Sequence, residues 1–229
     1  MHRRVLDMIR RETRHAREGR PARIIAKMNA LVEEGVIRAL YAASSAGVKI
    51  DLIVRGACAL RPGVPGISDH IRVRSILGRF LEHHRVWYFE NDGSPDVWLA
   101  SADWMGRNLF RRVEVAFPVL DPVLRKRVVD EGLKAYLADN CEAWQLDANG
   151  CWSRVKPRRG ARLSLSPGRF PPEAVPGLLT AAVRRSSCGR NLTCSLNRAN
   201  VTKPHQLQTD RTARCALATH VASTHSPKG

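Results

Sequence analysis

From Val48 to Val54 the chain reads VKIDLIV, apolar and β-branched positions interrupted only by Lys49 and Asp51, and the run stops at Arg55-Gly56. Such a stretch predicts a buried strand with a cation at its mouth. A second run, RVWYF at 85–89, predicts another strand, and two-residue alternation puts His83 and Arg85 on one face of it. Between the two, Arg61, Arg72, Arg74 and Arg79 are mixed with Pro62, Gly63, Pro65 and Gly66, which reads as a loop carrying guanidinium groups. Upstream, residues 3–17 and 21–45 both read as helix. In the second, Ile24, Ile25, Met28, Leu31, Val32, Val36, Leu40 and Tyr41 recur at three- and four-residue spacing. Lys27 to Asn29 then fall on a helix, as solvated or packing positions.

Downstream, Asn91-Asp92-Gly93 with Ser94-Pro95 is turn chemistry, and it predicts an antiparallel hairpin of RVWYF with DVWLAS. SADWMGRNLF reads as a loop. RRVEVAFPV reads as a strand with Val113, Val115 and Phe117 on one face. Asp121 is placed as a helix N-cap with Pro122 in the first turn, opening a helix to about Ala138. A last hairpin turns at Asn149-Gly150. Helices alternating with strands predict an α/β layer architecture.

Beyond residue 158 the periodicity fails. Up to Val155 there are 25 Lys and Arg against 19 Asp and Glu, whereas the remainder carries 13 against 2, so most of the net charge of +17 lies in the last third of the 229 residues. All five tryptophans and all three tyrosines precede it. With so few apolar anchors, residues 159–229 are expected to form a mostly disordered basic tail. The six cysteines show no paired metal-ligand spacing and read as free thiols in a reducing compartment. The chain shows no membrane span and no signal segment, so a soluble, cytoplasmic protein is expected, or one peripheral to a membrane complex.

A histidine and several arginines converging on one sheet edge suggest a phosphate site. On residue type alone, His83 reads rather as an ordinary strand-end histidine and Arg55 as a solvated strand cap. His84, pointing the other way, reads as structural or exposed. Asp103 and Glu114 are candidates for an acid pair.

The blocks IIAKMNALVEEGVIRALYAASSAGVKIDLIVRGACALRPGVPG, SDHIRVRSILGRFLEHHRVWYF, SADWMGRNLFRRVEVAFPV and YLADNCEAW occur in order. Together they resemble the last catalytic domain of bacterial polyphosphate kinase of the first type, over residues 1–158. The resemblance implies a phospholipase D-like sheet flanked by helices. It also implies reversible transfer of the terminal phosphoryl group of ATP to inorganic polyphosphate, through a phosphorylated histidine on the enzyme. Arg55 and His83 match the family's arginine and histidine at the nucleotide phosphates, so both are candidate ATP and phosphate ligands and His83 the candidate catalytic residue. The phospholipase D signature survives in altered form as His83-x-Arg85, then Ser101 with Asp103 or Asn108. Magnesium is expected with ATP, held by the family's preceding domain, and no metal ligands are assigned here.

That preceding domain also bears the phosphoryl-accepting histidine. The chain therefore reads as a fragment that is not active alone, ending in a tail unlike the family's. Expected partners are ATP, ADP and polyphosphate, with homo-oligomerisation open and nucleic acid bound only nonspecifically. Two other readings stand beside this one. The first is a non-catalytic polyanion module using Arg61, Arg72, Arg74, Arg79, Arg111 and Arg112. The second is a phospholipase D-like phosphodiesterase, against which Arg85 argues, standing where a lysine is required.

Overall fold

The computed structural model describes residues 1–78, 81–157 and 163–165. The basic tail expected over 159–229 lies outside the described residues, apart from 163–165, where Ser164 exchanges hydrogen bonds with Asn140.

One sheet of eight strands organises these residues. In chain order the strands are β1 (Arg23–Met28), β2 (Lys49–Val54), β3 (Ile71–Ile76), β4 (Arg85–Phe89), β5 (Asp96–Ala100), β6 (Ala116–Pro118), β7 (Ala143–Leu146) and β8 (Trp152–Arg154). Across the sheet they stand β6-β5-β4-β1-β2-β3-β7-β8. β1, β2 and β3 are mutually parallel, and every other pairing is antiparallel.

Two expectations are corrected here. Residues 21–45 do not form one helix: β1 comes first, and helix α2 begins only at Glu34 and runs to Ser45. β1 is the central strand and is buried at five of its six positions, so its apolar run lacks the alternation that marks a half-exposed strand. Ile24 and Ile25 satisfy either period. The second correction is at IRVRSI, read as loop, which is β3. Ile71 and Val73 join the core on one face while Arg72 and Arg74 point to the other. The strand expected at RRVEVAFPV shrinks to β6, with Val113, Val115 and Phe117 exposed.

Other elements match the reading. Helix α1 (His2–Arg17) packs with α2 on one face of the sheet, burying Val5, Met8, Ile9, Val36 and Leu40 against Ile24, Leu52, Val54, Trp87 and Phe89. The Trp87 and Trp104 rings lie 5.8 Å apart in this layer. The β4–β5 hairpin turns at Asp92 and Gly93, both with positive φ, and the Ser94 amide donates to the Asn91 carbonyl at 3.1 Å, the two-residue turn that strand twist requires. Asp121 caps helix α3 (Pro122–Val129) through the Leu124 amide at 2.8 Å. The helix continues through a π-helical turn at Asp130–Lys134 into α4 (Ala135–Ala138), covering the second face with Leu133 and Tyr136. β7 and β8 form the expected last hairpin.

Candidate functional site

Strand order reverses at β1. The chain lays β2 and β3 on one side of it, then crosses back to place β4 on the other. Crevices at the carboxyl ends of strands beside such a switch are where open α/β sheets bind ligands. β1 and β2 end there in register at Met28 and Val54, and antiparallel β4 begins beside them.

Arg55 and His83 both emerge at this edge. They do not come from neighbouring strands, because β1 stands between β2 and β4. The Arg55 guanidinium nevertheless reaches across it. Its Nη1 donates 2.9 Å to the carbonyl of Glu82, the residue before His83, while the Arg55 carbonyl accepts from the Ser75 hydroxyl. From the other side, Arg85 Nη1 donates 2.8 Å to the His83 carbonyl. Two guanidinium groups thus clamp two consecutive carbonyls, which fixes the peptide that carries the exposed His83 side chain. Among the described residues Arg55 pairs with no carboxylate, and the Glu82 carbonyl engages only its Nη1.

Arg85 is itself buried and held. Its Nε and Nη2 donate to the two Asp103 oxygens at 3.1 and 3.2 Å, the paired geometry a guanidinium offers a carboxylate. Asp103 also accepts from the Asn29 backbone amide at 2.8 Å and the Asn29 side chain at 3.2 Å. This follows from β1 running on past Met28: Leu31 bridges both Cys58 and Trp104, which sets Asp103 beside Asn29. Burial alone would raise the Asp103 carboxyl, but the bonds from Arg85 and Asn29 outweigh it and hold the group below the usual carboxylate range. His83 is shifted down from the ordinary imidazole value by desolvation and by the positive fields of Arg85 and Arg55, so its ring is neutral at pH 7.

The other face of the same edge holds a buried cation. Lys27, expected on a helix, lies on β1 with Nζ 3.3 Å from Glu82 Oε2 and 4.6 Å from the centre of the Tyr136 ring. Burial pushes its ammonium group down from the ordinary lysine range, with Glu82 opposing. His84 points to this face, its ring 5.2 Å from Tyr136. The backbone approach is close as well. The Gly56 amide donates to Asn29 O at 2.7 Å, and a Cβ on Gly56 would stand 2.9 Å from that oxygen.

Ser101 and Asn108 are held by a carboxylate on the β5 side of Arg85. Both bond Glu114, the Ser101 hydroxyl through one oxygen and the Asn108 amide through the other at 2.5 Å. Asp103 and Glu114 therefore serve separate partners and form no acid pair. Among the described residues no group of three or more His, Cys, Asp or Glu is placed to hold a metal ion. The carboxylates at the edge, Asp103 and Glu82, are engaged by Arg85 and Lys27, so these residues do not fit a magnesium site.

Residues 1–165 match the family described as polyphosphate kinase C-terminal domain 2. The chain belongs to this family. It is 60% identical over 168 residues to a polyphosphate kinase of Burkholderia lata, covering 72% of this chain and 24% of that protein. It is likewise 60% identical over 157 residues to one of Xylella fastidiosa, covering 69% and 22%. Among solved structures, polyphosphate kinase from Porphyromonas gingivalis aligns with a TM-score of 0.69 and 41% identity over 72% of this chain and 25% of that one. The chain thus spans about a quarter of the length of the relatives it matches. A phospholipase D family member, Nuc from Salmonella typhimurium, aligns at 16% identity and a TM-score of 0.37, a weak likeness of fold.

In this polyphosphate kinase domain the sequence reading placed Arg55 and His83 at one edge, where both stand, but it put Lys27 and Asn29 on a helix, did not single out Glu82, and left Asp103 without its partner. A lysine inside an otherwise apolar run is the one signal that was available for Lys27. Arg61, Arg111 and Arg112 are exposed, and Arg79 is outside the described residues. Among the described residues no helix is long and apolar enough to cross a membrane.

Proposed function

We propose that this chain supplies a phosphate-binding half-site to an ATP:polyphosphate phosphotransferase, with Arg55 and His83 as its ligands to the transferring or terminal phosphate. The observation that supports this reading is the junction at Glu82, where Arg55 reaches the peptide preceding His83 and keeps donors in reserve. Phosphoryl transfer spreads charge over the equatorial oxygens of a loose transition state, so catalysis rests on positioning and charge neutralisation. Arg55 offers a guanidinium to those oxygens. His83, neutral at pH 7, accepts or returns a proton at the phosphate as the nucleophile is exposed or the leaving oxygen departs. In this reading residues 1–158 are the functional unit. The histidine that becomes phosphorylated, and the magnesium contacts, belong to the rest of the kinase.

Calorimetric titration of ATP at fixed salt tests this. Arg55→Ala removes a charge-assisted contact and is expected to weaken binding by about ten- to a hundredfold. His83→Ala costs less at pH 7. In the parent, affinity rises as pH falls through the His83 pKa, below the ordinary imidazole value, because protonation adds a cation beside the phosphate. In His83→Ala that component disappears. If Arg55→Ala binds like the parent while Arg111→Ala does not, the chain is a diffuse polyanion-binding module instead.

A further inference from the structure

Along β1–β3, on the face covered by α3 and α4, the sheet carries a basic cavity apart from the edge. It measures about 280 Å³ and is lined by Arg23, Asp51, Arg72, Arg74, Leu137 and Gln145. Its floor follows from strand register. Asp51 on β2 stands opposite Arg72 on β3, and Arg74 stands opposite Gln145 on β7, with Arg23 opening β1 alongside. Alternation points these side chains to the same face, so three guanidinium groups converge there on one carboxylate.

Two of the three arginines are committed to holding the fold. Arg23 donates to Asp51 at 2.8 Å. Arg74 is half-buried and donates to the carbonyls that end α4, Tyr136 at 3.0 Å and Leu137 at 2.5 Å, fastening that helix to the sheet. Arg72 is not committed in this way, for it is exposed and among the described residues pairs with no carboxylate. Its lining therefore has two more guanidinium groups than carboxylates, with Asp139 acting on Arg74 from outside the lining and the Gln145 amide as a further donor. Planar guanidinium forks around a concave, partly desolvated space suit a tetrahedral oxyanion better than a planar one-carboxylate ligand, because several oxygens can be met at once.

We infer that this cavity is a second phosphate site, which holds a segment of a polyphosphate chain away from the reacting end. The choice of a phosphate chain over a single anion rests on the function proposed above. Asp51 and Arg72 share one register position, and four residues of strand separate Asp51 from Arg55, so the cavity lies roughly 13 Å along the strand from the edge that carries Arg55. A linear polyanion held at two such points gains effective concentration at each, without any new contact at the reacting phosphate.

The experiment is calorimetric titration of the whole chain with tripolyphosphate at fixed salt. The parent is expected to bind two equivalents. Arg72→Ala weakens one of them about tenfold and leaves the other in place. Asp51→Asn tightens the same one several-fold, since it removes the one carboxylate and releases Arg23. Arg38→Ala, on the exposed face of α2 and already paired with Glu34, changes neither. The inference is overturned if Arg72→Ala binds like the parent, if Arg72→Ala and Arg38→Ala lower affinity equally, or if Asp51→Asn fails to tighten binding. Failure of the edge site reads differently: Arg55→Ala then matches the parent while the Arg72-dependent equivalent remains.

Discussion

Asp103 is 74 residues from Asn29 and 18 from Arg85, yet it sets the position of His83. It holds Arg85, and Arg85 holds the His83 carbonyl. Both members of the pair are buried, with 9% and 8% of their side-chain surfaces exposed. Asp103→Asn leaves a buried guanidinium without a counter-charge, which costs about 3 kcal/mol or more, measurable by urea unfolding at pH 7. The pH dependence has a definite sign. The folded pKa of Asp103 lies below its unfolded value, so its contribution is present above the ordinary carboxylate pKa and lost as pH falls through the folded one. In acid titration the parent loses this stability below about pH 4, and Asp103→Asn shows a correspondingly shallower fall. Arg55 and His83 were legible because each flanks a strand and because the blocks around them resemble a known family. Glu82 and Asn29 were not, since what recruits them is a strand crossing that no local pattern encodes.

Among the elements, those whose ends carry turn or capping chemistry were read correctly. Asn91-Asp92-Gly93 specifies its hairpin, and Asp121-Pro122 specifies the start of α3. The cap has a measurable value: Asp121→Ala frees the Leu124 amide and is expected to lower stability by about 1 kcal/mol, seen as a lower urea midpoint with an unchanged slope. Elements set by burial were misread. β1 is enclosed on both faces, so its composition satisfies helix and strand alike, and β3 hides behind two arginines that face the second cavity. The π-helical turn at Asp130–Lys134 was equally illegible. There Gly132 faces β4, with Val86 Cγ2 3.6 Å from where its Cβ would stand, so the helix passes the sheet closely at that point.

At the scale of the whole molecule, the α/β class and the helices flanking the sheet were readable, but strand order was not. RVWYF lies beside β1 because the chain crosses back over the ends of β1 and β2 after β3, and pairing partners so distant in sequence leave no periodic trace. The boundary proposed near residue 158 belongs to this scale too. β8 ends at Arg154 and the family match ends at residue 165. Brief trypsin digestion is expected to leave an N-terminal fragment ending between these positions, and mass spectrometry of the fragment checks it. The tryptophans add a different consequence. Trp104 follows Asp103 directly and its ring lies against Trp87 in the core, whereas Trp144 and Trp152 are partly exposed on the last hairpin. The emission spectrum therefore divides into a shielded blue component beside the clamp and a quenchable red component remote from it, and occupancy of the edge becomes readable from intrinsic fluorescence without a label.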